Sequence, residues 1–235
     1  MKKIEIINLW KSTPEGFNLH IDNLNLESDV IYGLIGPNGA GKTTFLKCVC
    51  NLLIPDSGEI NYVDELLQVR RQIDLNLIGT NFVFMDGLNG LSLEEIYLDQ
   101  VMYHNLKVPL SLKELLNSVN LDVPNSITFG KMSLGMKQRF LLGITLMSNP
   151  EIILLDEPFN GLDPDGVQLF IDTLKSFAKN RIIIISSHGL ADLETFIDST
   201  IFIENGKLNE PIFIESVTNN MKGGLKKYYD TQRSK

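Results

Sequence analysis

The chain has 235 residues, 43% of them hydrophobic and 21% charged, with a formal net charge of −8 and a pI near 4.9. That balance argues against a nucleic-acid binder, which would carry a basic patch, and no apolar run approaches the ~20 residues of a membrane helix. The cysteines, Cys48 and Cys50, sit two apart on a predicted helix, which suits packing rather than a disulfide or a metal, as in a cytosolic, reducing setting. The opening MKKIEIINLW lacks the long apolar core of a signal peptide.

Residues 3–9 alternate apolar and polar, as a half-buried strand does, and Phe17, Leu19, Ile21, Leu24 and Leu26 continue the pattern. Ile31–Ile35 is apolar throughout, as in a strand buried on both faces of a parallel sheet. It leads into Gly36–Pro37–Asn38–Gly39–Ala40–Gly41–Lys42–Thr43, which fits G-x-x-x-x-G-K-[ST] without a mismatch. Glycines let backbone N–H groups approach an anion, and a helix beginning at Lys42 points its positive end at the same place. Lys42 is expected to reach outer phosphates, and the Thr43 hydroxyl to hold Mg²⁺. The helix is predicted to run to about Leu53, stopped by Pro55 and Gly58, with a short strand at 59–62 and strand-like pieces over 72–86.

From Ser92 the period becomes helical. Ser92-x-x-Glu95 and Ser111-x-x-Glu114 are capping boxes ahead of apolar stripes, Pro124 closes the second segment, and a further helix is predicted at 135–148. The buried-strand signal returns in Ile152–Leu155, which delivers Asp156 and Glu157 at its end, where open α/β sheets bind ligands. Asp156 suits Mg²⁺ and Glu157 a general base acting on water. A helix at 166–178, a buried strand Ile182–Ile185 closed by Ser186–Ser187–His188, a short helix at 190–197 and an Asn205–Gly206 hairpin follow.

Taken together, the Walker A loop at 36–43, SLGMKQ at 133–138, the Walker B strand at 152–157, Asn160–Gly161–Leu162–Asp163 and His188 resemble the ATP-binding-cassette (ABC) ATPases over roughly residues 1–210. The SLGMKQ form resembles separately encoded ATPase subunits of bacterial transporters, often exporters. The resemblance implies a RecA-like P-loop α/β core with an antiparallel β subdomain (1–91 and 149–210), a helical subdomain (92–148) and a C-terminal tail (211–235). It implies ATP and Mg²⁺, with nucleotide contacts from 36–43, Thr44, Ser133 and Gly135, metal contacts from Thr43 and Asp156, and catalysis by Lys42, Glu157 and His188. It further implies a homodimer or heterodimer of cassettes, a membrane permease partner and a cytoplasmic, membrane-peripheral location, with no nucleic acid. A soluble ABC ATPase, for example in metal-cluster assembly, is the alternative. Three departures stand out: Leu134 and Met136 replace glycine and glutamine in the signature, Thr13 falls where an adenine-stacking aromatic is expected, and no glutamine follows Ile78–Gly79. Asn81 is the amide nearest that last position, and Trp10 or Phe17 the remaining candidates for stacking.

Overall fold

The computed structural model describes residues 1–82, 87–188 and 193–220, the side chains through 217, and residues 227 and 229. Val83, Phe84, Met85 and the start of the 190–197 helix lie outside the described residues. The chain divides into two compact units, Met1–Leu75 with Ala178–Lys235, and Asn76–Phe177.

In the first unit, β1 (Lys2–Ser12) pairs antiparallel with both β2 (Asn18–Glu27) and β4 (Ser57–Asp64), and β4 pairs with β5 (Val69–Gln72). Alternation explains the register: Ile4 faces Leu26 and Ile6 faces Leu24, and all four are buried. The β1–β4 ladder shifts register between Ile7 and Trp10. There Asn8 turns to φ 48 and Gly58 to φ 87. A Cβ on Gly58 would lie 2.3 Å from the Asn8 carbonyl oxygen, so only glycine fits the bulge.

The other half of this unit is parallel. β3 (Val30–Ile35) lies between β8 (Ile182–Ser187) and β9 (Ser199–Glu204), parallel to both. Its residues Ile31–Ile35 are all buried, as an uninterrupted apolar run requires. β10 (Lys207–Leu208) returns antiparallel to β9 through the Asn205–Gly206 turn, whose φ values are 48 and 75, and joins β2 in parallel. β11 (Ile212–Phe213) pairs with β9, and α6 (Ile214–Asn220) follows.

In the second unit, β6 (Ile78–Thr80) and β7 (Ile152–Leu155) form a parallel pair. α2 (Leu93–Tyr103), α3 (Leu112–Ser118), α4 (Leu134–Met147) and α5 (Pro164–Phe177) complete it. Both predicted capping boxes are present, with Ser92 and Glu95 reciprocally bonded at α2 and Ser111 and Glu114 at α3. Between these helices Ile96, Leu115, Leu116, Phe129, Phe140 and Ile144 make one apolar core.

The helices stop earlier than their apolar patterns. α1 (Lys42–Val49) ends well before Pro55, and α3 before Pro124. Asparagine is the reason: Asn51, Asn105, Asn120 and Asn149 adopt left-handed φ just past α1, α2, α3 and α4. After α1, Asn51 N–H donates to the Cys48 carbonyl and Leu52 N–H to that of Lys47; Asn120 and Leu121 repeat the pattern on Asn117 and Leu116. These are Schellman stops with asparagine in glycine's place. Gly58→Ala is expected to destabilise by about 1–3 kcal/mol by straining the bulge, seen as a lowered Tm in thermal unfolding.

Candidate functional site

The expected site residues fall in both units. On the first, the buried β3 releases the chain at Gly36, whose N–H donates to the Ser187 carbonyl at 3.4 Å. A Cβ on Gly36 would lie 2.2 Å from the Ile203 carbonyl oxygen on β9. This glycine is therefore fixed by the neighbouring strand, whatever the loop binds. Gly39 and Gly41 take φ 79 and 108, and the Gly206 N–H closes the loop on the Ala40 carbonyl at 3.0 Å. Lys42 is 6% exposed, and its Nζ donates back to the Gly36 and Pro37 carbonyls at 2.8 and 3.3 Å. Its charge thus sits inside the loop. α1 starts there with no side-chain cap and no acidic residue in its first turn, which leaves its N-terminal field positive. Thr43 is exposed and Thr44 half-buried in that turn. Asn38 is exposed at the loop's outer side. His188, exposed, follows the β8 residue that holds Gly36.

Near this loop, Thr13 is folded into a tight turn, with its N–H donating to the Phe17 carbonyl at 2.8 Å. Phe17 borders the loop: its Cζ would lie 2.5 Å from a Cβ on Gly41. Trp10 is 40% exposed and pairs with His20, ring centroids 5.4 Å apart.

On the second unit, β7 is buried throughout and gives way to the half-buried Asp156 and Glu157. Glu157 adopts φ 46, left-handed for a non-glycine, so the chain turns out of the strand direction at this residue. Ser133 caps α4 by accepting from the Met136 N–H at 3.2 Å, which leaves its own hydroxyl proton to donate. Gly135 approaches Gly161 so closely that a Cβ would lie 2.6 Å from the Gly161 oxygen. Leu134, the departure from glycine, packs on the other side of the same contact, within 2.7 Å of where a Gly161 Cβ would be. Arg139 reaches Asp163 at 2.8 Å, and Asp163 also accepts from the Gly166 N–H at the start of α5. That N–H first, and the guanidinium second, hold the Asp163 carboxyl below its usual range. Ser133, Gly135, Arg139, Gly161 and Asp163 line one cleft of about 390 Å³.

The enclosed ammonium of Lys42 and the uncapped start of α1 give this loop a positive field that can take an anion. The ABC transporter family pattern matches residues 19–160. At 35% identity, the chain resembles the lantibiotic transport ATP-binding protein SrtF of Streptococcus pyogenes over 87% of its own length and 88% of the relative's. The chain belongs to the ABC transporter family. The bacitracin transport ATP-binding protein BcrA of Bacillus licheniformis is likewise 35% identical, over 90% of this chain and 69% of its own. An uncharacterised ABC transporter ATP-binding protein of Bacillus subtilis, YcbN, is 34% identical over 83% of this chain, which spans only 64% of its length. Among solved structures, an ATP-binding subunit of an ABC transporter superposes with a TM-score of 0.78 at 23% identity, covering 97% of this chain and 98% of its own. The mixed α/β ABC fold expected from the motifs is therefore the fold observed.

Sequence reasoning missed two features of this ABC cassette. The Arg139–Asp163 pair joins residues 24 apart. Asn81 is 5% exposed, and its amide oxygen, offered above in place of the usual glutamine, accepts from the Asp156 N–H at 2.8 Å. Neither contact has a local sequence signal, because the partners lie 24 and 75 residues apart.

Two measurements check the first unit. Gly36→Ala is expected to cost about 1–3 kcal/mol through its clash with β9 and to weaken nucleotide binding, read by calorimetry and equilibrium titration. Trp10, the sole tryptophan and paired with His20, is expected to change its fluorescence little on ATP addition.

Proposed function

We propose that this chain is the ATP-hydrolysing subunit of an exporter and drives a separate membrane permease. The observation that carries the reading is the phosphate loop, with Lys42 enclosed among its own carbonyls at the start of α1. The bacitracin and lantibiotic relatives support a role in transport, and its direction is supported by a Nod factor export ATP-binding protein of Burkholderia lata, 31% identical over 79% of this chain and 62% of its own.

In this reading residues 36–44 bind the phosphates of ATP through backbone N–H groups and Lys42. The Thr43 hydroxyl and the Asp156 carboxylate would hold Mg²⁺, which neutralises phosphate charge when bound. Thr43, in the first turn of α1, and Asp156, just past β7, both offer the hard oxygen donors that Mg²⁺ takes. Glu157 takes a proton from the attacking water at its carboxylate, and His188 orients the terminal phosphate. Ser133 and Gly135 meet the nucleotide of a second cassette, identical or not, so that closure of the pair does mechanical work.

Leu88 and α2 supply the docking site for the permease. Leu88, Ile96, Met102 and Tyr103, with Asp99 and Gln100, line a groove of about 460 Å³. Met102 and Tyr103 are 78% and 56% exposed, a large apolar surface for a helix that could have turned it inward. A short amphipathic helix of the permease would cover it. Among the described residues no helix is long and apolar enough to cross a membrane, so membrane attachment would come through that contact.

Glu157→Gln is expected to retain ATP and to lower the hydrolysis rate by about 10²–10⁴-fold, accumulating an ATP-bound dimer by size-exclusion chromatography. Wild-type turnover in that variant would remove the carboxylate's role. Leu88→Asp is expected to leave ATPase activity of the isolated subunit intact and to weaken permease association by about tenfold or more in detergent pull-down. Unchanged association and transport would refute the groove as the docking site.

A further inference from the structure

β6 and β7 stop exchanging backbone hydrogen bonds at the Thr80–Leu154 pair, one residue before Asn81 and two before Asp156. Asn81 continues the ladder with its side chain. Its Oδ1 accepts from the Asp156 N–H at 2.8 Å, and its Nδ2 donates to the Asp156 carbonyl at 3.1 Å. A carboxamide has the donor and acceptor of a peptide unit, so it can act as one more rung where the second backbone has turned away. The same Nδ2 also faces the Oε1 of Gln138 at 3.5 Å. Gln138 is 4% exposed on α4, one turn beyond the Ser133 cap.

We infer that Asn81 is a positioning residue for the metal-binding carboxylate, holding both backbone polar groups of Asp156 and tying it through Gln138 to α4. The inference rests on the ATPase reading above, in which Asp156 meets Mg²⁺. Both backbone groups of Asp156 are held by one rigid side chain, so its carboxylate leaves the strand from a fixed origin. The amide has no slack. One methylene more, as in glutamine, pushes the amide past the rung; an apolar side chain leaves the Asp156 N–H and carbonyl without this partner. Gln138 places the same amide in register with the helix that begins at Ser133, so a shift of that helix is felt at the base of the metal ligand.

The test uses the full chain with Asn81→Leu and Asn81→Gln, the second keeping a buried amide in case the first fails to fold. Hydrogen exchange read at the Asp156 amide is expected to accelerate in both. Nucleotide affinity measured in EDTA is expected to stay at its wild-type value, because the phosphate loop is untouched. The gain in affinity on adding Mg²⁺ is expected to fall, with the half-saturating Mg²⁺ concentration rising about 10–100-fold, the usual loss when a partner behind a metal ligand is removed. A merely structural role would lower Tm and leave the Mg²⁺ titration unchanged. A folded variant with wild-type Mg²⁺ dependence therefore overturns the inference while leaving the ATPase reading standing. A wild-type chain whose nucleotide binding ignores Mg²⁺ would overturn both.

Discussion

Backbone N–H groups hold an anion well only when the chain that carries them cannot relax around it. β3 imposes that restraint. It is buried on both faces and hydrogen-bonded on both edges, to β8 and β9. The loop therefore leaves the sheet at a fixed point, and Gly36 passes β9 with no room for a side chain. The burial of Ile31–Ile35 thus fixes where the glycine-rich loop begins and keeps Gly36 in place.

The second unit meets a related demand with side chains. The chain turns left-handed at Glu157, just past the end of β7 and next to Asp156. Around them the chain uses short polar clasps, Asn81 to Asp156 and Arg139 to Asp163, in a unit otherwise held by apolar packing. Leu134 and Gly161 show the same economy. A bulky residue where the family has glycine is accommodated because its neighbour has no Cβ.

Much of this was legible in the sequence where the cause is local. The glycine-rich turn between β3 and α1, both capping boxes and the Asn205–Gly206 hairpin depend on residues within a few positions of each other, and each stands where its spacing put it. The bulge at Asn8 was not legible, because its cause is Gly58 on another strand. Nor was the clasp of Asn81, whose partner is 75 residues away. The ends of α1 and α3 were misplaced for a different reason. The sequence offers proline and glycine as the stops, whereas left-handed asparagines close those helices several residues sooner.

Those asparagines carry a cost that is not mechanical. Glycine in the same left-handed position is chemically inert, while an asparagine amide is among the groups that heat degrades, and proteins from very hot environments use it sparingly. Here Asn51, Asn105, Asn120 and Asn149 each close a helix, and Asn205 turns the hairpin whose glycine is bonded to the phosphate loop. The four helix-end asparagines precede leucine or proline, which hinder attack on the amide, whereas Asn205 precedes Gly206, so slow covalent ageing on prolonged heating falls first on the hairpin that closes the loop after β3.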